Sequence, residues 1–118
     1  MRSRVLVSGM GIITALGPDL NSNYNKLSTG QTGIGKSSFL DSKYTDQFPF
    51  GEIHMSTEQL IEMAGINFSK GITRTDILAI HAINEALNDT ELSTKELQSS
   101  DTALVSASTV GGLSLIHI

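Results

Sequence analysis

Residues 30–37 read GQTGIGKS, which fits G-x-x-x-x-G-K-[ST] letter for letter. In a phosphate-binding loop, that spacing lets backbone N–H groups wrap a phosphate, sets a lysine against it and offers a hydroxyl to Mg²⁺. The chemistry also needs a buried strand before the first glycine and a helix opening at the Lys-Ser pair. Here the preceding residues carry a helical pattern. The following SFLDSKYTDQFP has no helical apolar stripe and meets Pro49. No apolar strand ending in Asp stands close behind to hold the metal. The stretch is therefore expected to be a structural turn, with Gly30 a helix stop and Lys36 a surface lysine.

Gly9 and Gly11, in GMG, follow an apolar segment as a dinucleotide fingerprint would. The third glycine of that spacing would fall three residues after Gly11, where Thr14 stands. No acidic residue ends a second strand about 20 residues on, as that fingerprint requires. Two glycines that let backbone segments pass closely are the expected role.

The remaining chemistry-bearing types are sparse. There is no cysteine, so disulfides, thiolate metal sites and a cysteine nucleophile are excluded within these 118 residues. His54, His81 and His117 lack metal-ligand spacing. His81 lies among Ile80, Ala82 and Ile83, and is expected to be packed or solvated. Asp89 and Glu91 look like a solvated helix end. No catalytic residue, metal or cofactor is assigned within the chain.

Composition narrows the class. Hydrophobic residues make up 39% and charged residues 17%, below the roughly 25% charged share of soluble domains. A chain of this kind is expected to bury much of its surface, against another chain or a further part of the fold. The net charge of −4 and the lack of a Lys/Arg cluster argue against nucleic acid. No run reaches the roughly 18 apolar residues of a membrane span. MRSR followed by VLVSGMGIITALG has the layout of a secretory signal, but two glycines and Ser8 interrupt it.

The elements that would position these residues follow from periodicity. RVLVS at 4–8 is short and rich in β-branched residues, a strand pattern. Asp19 or Asn21 can cap a helix whose apolar face is Leu20, Tyr24 and Leu27, and Gly30 stands where a left-handed C′ residue is wanted. Residues 31–55 have no steady period and hold Tyr44, three phenylalanines and Pro49, an irregular excursion expected to be packed by its aromatics. Ser56 and Gln59 form a capping-box pattern before Leu60, Ile61 and Met63, and Gly65 ends that helix. The strongest helix spans about Thr75 to Leu87, with Ile77, Ile80, Ile83 and Leu87 as its stripe and Ala79, Ala82 and Ala86 permitting close approach. Asp76 in its first turn suits the helix dipole. After a polar link, ALVSA at 103–107 reads as a second buried strand, and STVGG at 108–112 as the turn after it. The order predicts an α/β fold with the two strands parallel.

Four blocks, in order, resemble one family: RVLVSGMGIITALG, LSTGQTGIGK, RTDILAIHAINEALNDTELS and DTALVSASTVGGL. They are similar to segments of the β-ketoacyl-acyl carrier protein synthases, the condensing enzymes of fatty acid and polyketide synthesis. The stretch Phe39-Leu40-Asp41-Ser42 fits the place of that family's insert. The resemblance implies part of the first half of a thiolase-like layered αβαβα fold, incomplete here, within a cytoplasmic chain of several hundred residues that is usually a homodimer. It implies acyl carrier protein as partner. It also implies a cysteine that takes the acyl group and two histidines that assist decarboxylation of malonyl-carrier protein, all downstream of these residues. No histidine present matches the family's histidine motifs. Val110 is similar to an apolar residue that borders the acyl pocket near the dimer interface, and Gly111 and Gly112 to the tight turn beside it.

Residues 1–112 are thus expected to be a partial N-terminal synthase domain. Leu113–Ile118, LSLIHI, departs from the family, which usually enters a helix there. The codons CTG-TCT-CTT-ATA-CAC-ATC, a transposon end used in preparing sequencing libraries, would encode these six residues, which are therefore expected to be read-through rather than native. The alternatives are a non-catalytic ketosynthase-like partner that sets chain length in a heterodimer and, more remotely, a P-loop nucleotide binder.

Overall fold

The computed structural model describes residues 4–67 and 69–108. Its elements are α1 (Leu20–Ser28), α2 (Thr57–Ala64), α3 (Arg74–Asp89) and α4 (Thr94–Leu97).

Each helix starts where a side-chain oxygen can satisfy free N–H groups. Asp19 caps α1 by accepting from the Ser22 N–H. Ser56 with Gln59, Thr73 with Asp76 and Ser93 with Glu96 form reciprocal capping boxes on α2, α3 and α4. The turn α4 lies in the segment expected to be a polar link, and its signal is the Ser-x-x-Glu at 93–96. α1 ends as expected at Gly30, whose φ is 70°. The Gly30 N–H donates to the Leu27 carbonyl and the Gln31 N–H to that of Lys26, the paired bonds of a Schellman motif. Gly65, at φ 66°, ends α2 in the same conformation.

α2 packs on α3. Leu60, Ala64 and Ile77 are its buried centre, surrounded by Ile13, Ile53, Met55, Ile61, Met63, Ile66, Ile72, Leu78 and Ile80. Only part of the apolar stripe of α3 is therefore covered: Ile77 is fully buried, while Ile83 and Leu87 are exposed.

Three expectations are corrected. Residues 4–8 and 103–107 form no strand, and the described residues contain only two isolated bridges, Thr14–Gly17 and Gly35–Phe50. A strand is a pairing of backbones, and these two segments do not pair with each other or with anything else described. Val5, Leu6, Val7, Leu104 and Val105 stand 79–96% exposed. The α/β order is thus carried here by helices alone. Secondly, α1 does not bury Tyr24 and Leu27, which are exposed; its buried residue is Asn23. The Asn23 amide nitrogen donates to the Gly17 and Asp19 carbonyls at 2.9 and 2.8 Å, and its oxygen accepts from the Thr14 hydroxyl. A buried amide with three partners outweighs an apolar stripe that has no surface to meet. Thirdly, the aromatics of the excursion do not pack it. Phe39, Tyr44 and Phe48 are about half exposed; the Tyr44 and Phe48 rings lie 6.0 Å apart, and the Lys43 ammonium stands 5.0 Å over the Tyr44 ring. A carboxylate holds this segment instead.

Candidate functional site

Two places bring distant polar groups together. The first is the seam between residues 9–20 and α3. A Cβ on Gly9 would lie 2.2 Å from the Ala86 carbonyl oxygen, and one on Gly11 would lie 1.9 Å from that of Ala82. The chain therefore runs directly over the helix backbone, and the alanines of α3 leave room for it. This is the close passage expected of GMG; no phosphate can enter between surfaces already in contact. Carboxylates of α3 satisfy the backbone above. Glu85 accepts from the Ile12 and Leu20 N–H groups at 2.8 and 2.7 Å, and Asp89 accepts from the Met10 N–H at 3.0 Å. Asp89 is thus a clamp as well as an exposed helix-end residue. His81 Nε2 lies 2.7 Å from the Pro18 carbonyl, so the tautomer protonated there donates to the turn before α1. The histidine is packed and engaged in structure.

The second place is the Gly-rich loop and the segment after it. Lys36 pairs with Asp46 at 2.6 Å, both largely exposed. The Asp46 carboxylate, by hydrogen bond and then by charge, raises the lysine above its ordinary pKa, and the lysine lowers the aspartate. Lys36 is a surface lysine with a carboxylate partner. Ser37 does not open a helix. Its buried hydroxyl donates to Glu52 at 2.7 Å, and the N–H groups of Ser38, Phe39 and Leu40 converge on the same carboxylate at 2.5–3.1 Å. The Ser38 N–H, opposed by partial desolvation and joined by the Ser37 hydroxyl and the other two amides, pulls the Glu52 carboxyl down to about 2. The Ser37 hydroxyl that a phosphate loop would offer to Mg²⁺ is here taken by the chain's own carboxylate.

Glu52 also forms one wall of an open cleft of about 450 Å³, with Phe39, Leu40, Ile53, Ser56, Glu58 and Arg74. Arg74 spends its guanidinium on the Ile53 and Met55 carbonyls, at 3.1 and 2.7 Å, tying the start of α3 to the approach of α2. His54 Nδ1 stands 3.8 Å from Glu52, beyond hydrogen-bonding distance.

Among the described residues no group of three His, Asp or Glu could hold a metal ion. No described helix is long and apolar enough to cross a membrane. Val110, Gly111 and Gly112, carried over as the acyl-pocket border, and the 113–118 tail lie outside the described residues. Reading by period missed Glu52, Glu85, Asn23 and Arg74. Each is a lone polar residue whose partners are backbone groups far away in sequence, and no local pattern marks it.

The family model described as "Beta-ketoacyl synthase, N-terminal domain" matches residues 2–116. This chain belongs to that family. Membership in the β-ketoacyl synthases places it with a condensing, acyl-transferring class of enzyme and implies the thiolase-like fold. The Gly-seam on α3 and the turn at 30–37 are thus features of a ketosynthase N-terminal domain. No curated protein and no solved structure matches the chain.

Proposed function

We propose that the 118 residues are the N-terminal portion of a β-ketoacyl-acyl carrier protein synthase. The whole enzyme condenses an acyl thioester with malonyl-carrier protein in fatty acid or polyketide synthesis. The match over residues 2–116 carries this proposal. The reaction needs a thiolate to take the acyl group and donors to stabilise the enolate oxygen once CO₂ leaves. This chain holds no cysteine, and its described histidines are placed as structural or exposed groups. The nucleophile and both catalytic histidines are therefore assigned to chain beyond these residues, and the portion itself is inactive. Val110 borders the acyl pocket, with Gly111 and Gly112 forming the turn beside it. The enzyme is a cytoplasmic homodimer served by acyl carrier protein, and Leu113–Ile118 are read-through.

The surface supports a larger whole. Among the described residues Val5, Leu6, Val7, Leu104 and Val105 stand 79–96% exposed. Assay of the purified 118-residue chain with acyl- and malonyl-carrier protein should give no 3-oxoacyl product. The enzyme built from the extended reading frame should form it, and lose it when its nucleophilic cysteine becomes alanine. Product from the 118 residues alone would refute the assignment. An extended frame with the fold but no cysteine would mark a non-catalytic chain-length partner instead.

A further inference from the structure

Glu52 sits in a site built for an anion. Three consecutive backbone N–H groups, of Ser38, Phe39 and Leu40, and the Ser37 hydroxyl point at one carboxylate. Ser37, only 8% exposed, is held beneath it and also accepts from the Leu40 N–H at 3.1 Å. Successive N–H groups turned inward make a concavity that binds anions without needing a cation. The ligand reaches it from 12 to 15 residues away in sequence. The nest is thus a feature of residues 37–40, and Glu52 is a ligand delivered to it. The remaining contact of the carboxylate is with His54 at 3.8 Å.

The nest also sets a wall. Phe39 and Leu40 supply two of its amides and line the cleft that faces Ile53, Ser56 and Arg74. Phe39 and Leu40 belong to no helix or strand. The Gly35–Phe50 bridge and the Glu52 carboxylate hold residues 35–40 against the returning chain at 50–52.

We propose that Ser37–Leu40 is a carboxylate-binding nest with Glu52 as its resident ligand, that its occupancy fixes Phe39 and Leu40 over the cleft, and that a small free carboxylate takes the place when Glu52 is removed. Charge-assisted hydrogen bonds to backbone N–H groups are about twice as strong as neutral ones, and an anion of the same head group meets the same four donors.

The test is hydrogen exchange read by mass spectrometry on the full 118-residue chain, at dilution, with Glu52→Ala. Exchange across residues 36–50 should quicken by about tenfold or more, while α3 keeps its protection. Sodium formate should restore slow exchange in that segment saturably, and sodium chloride at equal ionic strength should not. Unchanged exchange in the variant, or formate acting no better than chloride, overturns the proposal. Should Glu52→Ala lose protection in α3 as well, Ser37→Ala decides: it keeps the carboxylate and removes one donor. Faster exchange confined to residues 36–50 supports the nest; no change there refutes it.

Discussion

A methyl group on Gly11 would sit 1.9 Å from a helix carbonyl oxygen, while one on Gly35 would meet nothing within 4 Å. The two glycines come from the two motifs that suggested nucleotide binding, and they do different work. Gly11→Ala must lift the N-terminal segment off α3 and stretch the bonds from Ile12 and Leu20 to Glu85. It should destabilise that contact by about 3 kcal/mol, seen as faster amide exchange in both the 9–13 segment and the second half of α3. Gly35→Ala should fall within about 0.5 kcal/mol of the parent. Equal effects from the two substitutions would contradict the seam. Glu52 yields a pH prediction. Its folded pKa of about 2 lies below the ordinary 4.5, so its contribution is complete above 4.5 and is lost as pH falls through 2. His54 Nδ1 stands 3.8 Å from the carboxylate, and Glu58 and Arg74 share the cleft. The carboxyl carbon resonance of Glu52 should titrate near 2; a midpoint at 4.5 would show that the nest does not hold it.

Helices were the legible elements, because capping and period are both local. Ser56–Gln59, Asp76 and Gly30 announce boundaries that the structure keeps. Thr73→Ala removes one half of the α3 capping box and should cost about 1 kcal/mol, read as faster exchange in the first turn of α3 with α1 unchanged. Exchange unaffected at that turn would deny the box its role. Strands were not legible in the same way. RVLVS and ALVSA have strand composition, yet whether they become strands depends on a neighbouring backbone that propensity does not supply. The α1 face failed for a related reason: Leu20, Tyr24 and Leu27 fit a stripe, but the fold offers α1 a polar turn, and Asn23 meets it. The Glu52 nest was invisible because its donors are backbone groups, which every sequence has.

On the scale of the whole molecule the exposed groups agree with one another. Val5, Leu6, Val7, Leu104 and Val105 lie on segments of strand composition, Ile83 and Leu87 on the uncovered half of the α3 stripe. Apolar residues left open on segments of strand character are a template for association. The isolated chain should therefore aggregate as its concentration rises, visible in sedimentation velocity; a concentration-independent monomer with one sharp cooperative melt would contradict this. On the proposed assignment to a longer synthase, the same surfaces are those the larger thiolase-like fold would cover. The most direct test of the central claim is an independent genomic read across the codon for Gly112. The proposal predicts that LSLIHI is replaced by a frame that continues for several hundred residues and contains a nucleophilic cysteine followed by two histidine motifs. A read that keeps LSLIHI and stops after Ile118 would contradict it.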